Sequence, residues 1–125
     1  MLEIGLNEYK EMIVTHNESA AKMKSGNLKV FATPCMIALM ENTCAESVQK
    51  HLETGYDTVG IEVNIKHIAA TKIGKKVWCN SKLISINKNI LEFTIEVFDE
   101  KQMIGNGTHK RAIINVEKFL SRVNN

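Results

Sequence analysis

The feature that most restricts the fold is a change of hydrophobic period near Gly55. Before it lies one segment of about 19 residues patterned as a helix; after it, apolar side chains recur at every second position as far as Val116. The helix begins at Thr33-Pro34, a residue type that caps helices followed by a proline whose missing N–H costs nothing in the first turn. It runs to about Leu52, where Lys50 and His51 suit the negative end of the helix dipole. At 1.5 Å per residue its length would be roughly 28 Å. Beyond Gly55, Val59, Ile61, Val63 and Ile65 alternate with Gly60, Glu62, Asn64 and Lys66, the pattern of a strand with one face buried. Gly74 marks a turn into a strand at 75–86, Asn87-Lys88-Asn89 a hairpin turn into 90–98, and 99–102 a turn into a last strand at 103–116. An earlier strand is expected at 10–16, followed by a polar stretch at 17–27 that reads as a loop or lid. The order strand, long helix, four strands predicts an α+β fold: an antiparallel sheet of about five strands wrapped around one long central helix.

Composition fits a single domain over residues 1–125, since 44% hydrophobic and 24% charged residues supply a core and exclude a disordered chain. A net charge of +2 is too small for a duplex nucleic-acid partner, and no apolar run approaches the ~20 residues that span a membrane. The first ten residues carry Glu3 and Glu8 without a basic start and apolar run, so no secretory signal is expected and the predicted location is cytoplasmic. Cys35, Cys44 and Cys79 form no CxxC pair and read as reduced core thiols; no metal site is expected.

Three residues interrupt these patterns. Glu41 shares its helical face with Pro34, Ile37, Ala38, Cys44, Ala45 and Val48, so a carboxylate sits on an apolar stripe. Its plain structural explanation is a position at the stripe's edge, or a pairing with a buried base. His67 continues the parity of Val59, Ile61, Val63 and Ile65 and is the first titratable member of that series. Alone it would read as a satisfied core histidine; together with Glu41 it suggests a base tuned for proton transfer at the helix–sheet interface. Thr33 puts a hydroxyl at the positive end of the helix dipole, where simple N-capping explains most such residues. Lys72, Lys75, Lys76 and Lys82 around Trp78 read as a solvated strand face that could also attract phosphate.

The segments Val30-Phe31-Ala32-Thr33-Pro34, Ala38-Leu39-Met40-Glu41, Val59-Gly60, His67-Ile68-Ala69-Ala70-Thr71 and Gly105-Asn106-Gly107-Thr108-His109-Lys110-Arg111 resemble the hotdog-fold thioesterases related to fluoroacetyl-CoA thioesterase. The likeness covers nearly the whole chain, and the spacings Thr33 to Glu41 and Glu41 to His67 match the family's catalytic positions without a gap. It implies a catalytic triad of Thr33, Glu41 and His67, with Gly60 lining the acyl pocket and Arg111 near the site. It also implies a homodimer, with active sites at the subunit interface where Glu41 and His67 meet across two chains. Lys72 stands where relatives often have proline, a change confined to a turn. Asn27 occupies the position of the phenylalanine gate of fluoroacetyl-selective members, so Asn27 is a substrate-side position and no fluoroacetyl preference is expected.

The resulting expectation is a cofactor-free acyl-CoA thioesterase acting on a small acyl-CoA, with His67 as general base and Thr33 and Glu41 either activating water or forming an acyl intermediate. A non-catalytic acyl-CoA or small-ligand binding module is the alternative. Hydratase or dehydratase chemistry on an acyl thioester is a third reading.

Overall fold

A computed structural model describes residues 1–125. Five strands, β1 (Asn7–Ile13), β2 (Tyr56–His67), β3 (Lys76–Asn87), β4 (Ile90–Asp99) and β5 (Met103–Asn115), form one antiparallel sheet in the order β1-β3-β4-β5-β2. Helix α2 (Thr33–Gln49) lies across its concave face, as expected; α1 (Ala20–Met23) is a single turn before it, and α3 (Val116–Val123) follows the last strand. The core lies between α2 and the alternating inward residues of β3 and β4: Met36, Met40, Cys44 and Val48 meet Val77, Cys79, Leu83, Leu91, Phe93, Ile95 and Val97, all buried. Burial pushes the Cys44 thiol far up and the Cys79 thiol to about 11, so both stay protonated as small apolar packing groups.

Several local expectations need correction. The first strand ends at Ile13, because Thr15 and Glu18 form a capping box that starts a 3-10 turn at His16–Glu18 instead. The 17–27 stretch holds that turn and α1, which is closed by Lys24 at φ 59. Helix α2 stops at Gln49, and Lys50 and His51 lie beyond it. Its N-cap is Ala32, not Thr33, and no side chain caps it. Residue 116 is helical: Asn115 accepts from the Lys118 N–H and starts α3, which places Val116, Phe119, Leu120 and Val123 on one face.

The buried stripe of α2 is also rotated from the expected one. Met36, Leu39, Met40, Thr43, Cys44, Ser47 and Val48 are buried, with the Thr43 and Ser47 hydroxyls donating to the Leu39 and Cys44 carbonyls. Pro34 and Ala38 are exposed and Ile37, Glu41 and Ala45 are half-buried, so the apolar surface around Glu41 is a flank of the helix.

Strand β2 departs most from simple alternation. Its register against β5 shifts between Gly60 and Glu62, so Ile61 is bulged. Gly60 pairs with Arg111, whereas Val63, Ile65 and His67 pair with His109, Gly107 and Gly105, all on the helix side. The bulge therefore splits the expected single face: Val59 and Ile61 do not share the side of Val63, Ile65 and His67. β2 is an edge strand, and Ile61 and Val63 remain 52% and 39% exposed along it. No helix is long and apolar enough to cross a membrane.

Candidate active site

The first turn of α2 and the end of β2 meet at one mouth of the helix–sheet interface. Because Ala32 takes the capping position, the Thr33 hydroxyl is free of the backbone and lies 2.8 Å from His67 Nδ1. Phe31, fully buried, meets the imidazole edge-on with ring centroids 6.3 Å apart. Segment 30–32 is held in place by backbone bonds, Phe31 N–H donating to Thr71 C=O and Ala32 N–H to Glu18 C=O. His67 Nε2 is buried without a hydrogen-bond partner. Burial holds the imidazole below its usual value, partly opposed by the Ala69 backbone carbonyl, so His67 is neutral near pH 7 and able to accept a proton. A cleft of 340 Å³ opens over this pair, walled by Ala20, Val30, Phe31, Ile68 and Ala69. A larger depression of 460 Å³ on the outer sheet face, around Asn7, Tyr9, Lys82 and Glu96, is almost wholly polar and holds no base–nucleophile pair.

Glu41 lies elsewhere in the chain. It is two helical turns from Thr33, roughly 12 Å along the axis, and its Oε2 is 3.9 Å from Arg111 Nη1. Arg111 is buried and each of its three guanidinium nitrogens donates within the chain: Nε to Thr58 Oγ1 (2.8 Å), Nη2 to the Thr58 carbonyl (3.0 Å) and Nη1 to His109 Nε2 (3.0 Å). The expected role for Gly60 has a steric reason. A Cβ there would come within 2.7 Å of Glu41 Oε2 and 3.2 Å of His109 Cε1, so only glycine lets this cluster close. Gly105 and Gly107 act similarly on β5: a Cβ at Gly105 would lie 2.6 Å from Met36 Sδ, and one at Gly107 would strike the Asn64 carbonyl.

The structure thus brings Thr33 and His67 together and brings Glu41, Gly60 and Arg111 together, in two separate groups. Asn27 is exposed in the loop after α1 and is not part of the cleft wall. Sequence reasoning did not single out His109 or Thr58 as members of the second group. The alternation of Thr58, Gly60 and of His109, Arg111 on strands that pair was the available signal, hidden by the bulge between them.

A model of the family described as fluoroacetyl-CoA-specific thioesterase matches residues 14–117, most of the chain and all of Thr33, Glu41, Gly60, His67, His109 and Arg111. The chain belongs to this family. It is 37% identical over 95 residues to fluoroacetyl-CoA thioesterase from Streptantibioticus cattleyicolor, a match that covers 76% of this chain and 68% of that protein. A solved structure of a fluoroacetyl-CoA thioesterase superposes with a TM-score of 0.94 at 28% identity, covering 99% of this chain and 96% of that one. A hot-dog-like protein from Thermanaerovibrio acidaminovorans, 15% identical, shares the fold alone, with a TM-score of 0.90 over 98% of this chain and 90% of that one. The family and these structures establish the expected hotdog architecture and an acyl-CoA thioester hydrolase lineage.

Proposed function

We propose that the family's thioester hydrolysis is carried in this chain by the Thr33–His67 pair, with Glu41 of a second subunit completing the site. The observation that supports this most is the 2.8 Å approach of Thr33 Oγ1 to His67 Nδ1 at the cleft mouth. Hydrolysis requires an oxygen nucleophile to add to the thioester carbonyl, loss of its proton to a base, and cleavage of the C–S bond with proton return to the leaving thiolate. His67 takes the nucleophile's proton and returns it to the thiolate. Pro34 has no N–H and Cys35 and Met36 donate to the Ala32 carbonyl, so the Thr33 N–H is the first-turn backbone donor left for the carbonyl oxygen as it gains negative charge. The products are a carboxylic acid and free coenzyme A.

Dimerisation is the part of this reading that joins the two groups. The free edge of β2 and the apolar flank of α2 around Ile37 and Ala45 are left uncovered in one chain. An antiparallel pairing of two β2 edges about a two-fold axis at Asn64, with the bulged Ile61 left out of each ladder, sets Gly60 of one chain opposite His67 of the other. Since Glu41 packs on Gly60, that pairing carries the partner subunit's Glu41 toward the Thr33–His67 pair. The substrate proposed is a short acyl-CoA, and the proposed location is the cytoplasm. With Asn27 offering no aromatic surface, kcat/KM for fluoroacetyl-CoA and acetyl-CoA should lie within about tenfold of each other.

The test is a panel of acyl-CoA thioesters assayed for thiol release, with light scattering in parallel. Turnover of short acyl-CoAs by a species of about twice 14.1 kDa is the expected result. Binding of acyl-CoA without turnover would make the protein a binding module. An active monomer would overturn the shared site.

A further inference from the structure

Behind Glu41, the buried face of the second cluster contains a histidine whose hydrogen-bonding state is dictated by its neighbours. His109 is 1% exposed, stacks on Phe93 with centroids 6.3 Å apart, and faces two different groups through its two ring nitrogens. Nδ1 lies 2.7 Å from the Glu62 backbone carbonyl, which can only accept, so Nδ1 carries a proton. Nε2 lies 3.0 Å from Arg111 Nη1, which can only donate, so Nε2 carries a lone pair. The two contacts permit one form of the ring: neutral, protonated at Nδ1.

We propose that His109 is a positioning residue for the thioesterase site, a neutral Nδ1–H imidazole that accepts from Arg111 Nη1 and so aims the guanidinium at Glu41. The other two guanidinium nitrogens are fixed by Thr58, and Nη1 is the nitrogen that faces Glu41 Oε2 at 3.9 Å. His109 is the group that decides where that nitrogen points. The carboxylate in turn sits where the proposed dimer needs it, so this inference rests on the reading of the shared site above. The groups around the ring are consistent with its staying neutral. Burial lowers its proton affinity and the Arg111 charge lowers it further, against the Glu62 carbonyl and the Glu41 carboxylate, which raise it. Gly60 on the adjoining strand leaves the space beside His109 Cε1 in which Glu41 Oε2 and Arg111 Nη1 approach.

Two substitutions separate the two nitrogens. His109→Gln keeps an acceptor at the reach of Nε2 and loses the Nδ1 donor; His109→Asn keeps a donor at the reach of Nδ1 and loses the acceptor for Arg111. Asn is one methylene shorter than Gln, so the two are compared as folded variants, where a purely structural role predicts no selective change in kcat or at Glu41. The positioning role predicts that His109→Asn lowers kcat roughly 10- to 100-fold with little change in KM, and that His109→Gln recovers most of that loss. Circular dichroism and thermal unfolding select folded variants for the comparison. The NMR arm needs no substrate: nitrogen-15 shifts at neutral pH should show His109 protonated at Nδ1 alone. The carboxyl carbon-13 chemical shift of Glu41 at neutral pH should move in His109→Asn and stay near wild type in His109→Gln. Protonation at Nε2, or equal Glu41 carboxyl carbon-13 shifts in the two variants, would overturn the proposal. If the wild type hydrolyses no acyl-CoA, the hydrolase reading fails, and the NMR arm alone decides the role of His109.

Discussion

The two ends of the α2–β2 interface carry similar residue types and are built oppositely. At the Thr33–His67 end the hydroxyl is exposed, the imidazole is half-buried with a partnerless Nε2, and a cleft lies above them. At the Glu41–Arg111–His109 end, Arg111 and His109 are buried, both imidazole nitrogens are satisfied and all three guanidinium nitrogens donate within the chain. A group whose hydrogen bonds are all committed can hold charge in place but cannot exchange protons with a substrate. A group with one open valence can. Chemistry therefore belongs to the first end and placement of the carboxylate to the second.

The largest test of this contrast is His67→Ala, expected to reduce kcat/KM by roughly 10²- to 10⁴-fold while leaving the circular dichroism spectrum and dimer unchanged. A folded dimer with near wild-type turnover would make His67 a packing residue. Arg111→Leu should act the other way round, on stability first. It strands the buried Thr58 carbonyl and His109 Nε2, at a cost of about 3 kcal/mol in urea unfolding. A cost below about 0.5 kcal/mol would mean that the network is not what holds this end together. Gly60→Ala sits between these two, because the new methyl displaces the Glu41 carboxylate and, within its own chain, meets neither Thr33 nor His67. A roughly tenfold loss of kcat/KM is expected, with the acid limb of its pH profile unmoved. The smallest effect is the position of that limb in the wild type. Burial lowers the His67 value, so its neutral, proton-accepting form persists to lower pH, and kcat/KM should rise with pH through a midpoint below 6.5. A midpoint above 6.5 would show that carboxylate charge near the imidazole outweighs burial in the assembled protein.

How far these features could be read from the sequence varies with the range of the interaction involved. The helix start at Thr33-Pro34, the period-two strands and the hairpin at 87–89 are encoded by neighbours within a few residues, and each stands where expected apart from small shifts at the ends. Thr33, Glu41 and His67 were conspicuous because each breaks a local pattern. The capping box at Thr15–Glu18 and the Asn115 cap of α3 are equally local signals, outweighed in the reading by the alternation that precedes each. Other features depend on pairing between distant strands. The bulge at Ile61 follows from the register of β2 on β5, and the companionship of His109 with Arg111, Thr58 and Glu41 follows from the bulge. Likewise the buried stripe of α2 was misplaced because both of its flanks are apolar, and the sheet covers only one of them.

The bulge at Ile61 acts as a phase shift in the strand. Upstream of it, even-numbered positions Thr58 and Gly60 look toward the helix; downstream, odd-numbered Val63, Ile65 and His67 do. Absorbing Ile61 into a regular ladder, so that it takes the place opposite Lys110 and each later residue moves along by one, would leave every side chain of the proposed site in the sequence. With Gly60 held in register, it would turn His67 to the far side of the sheet from Thr33. The site is thus vulnerable to a change of reading frame in the strand itself: its parts are specified by residue type, but their meeting is specified by one uncounted position.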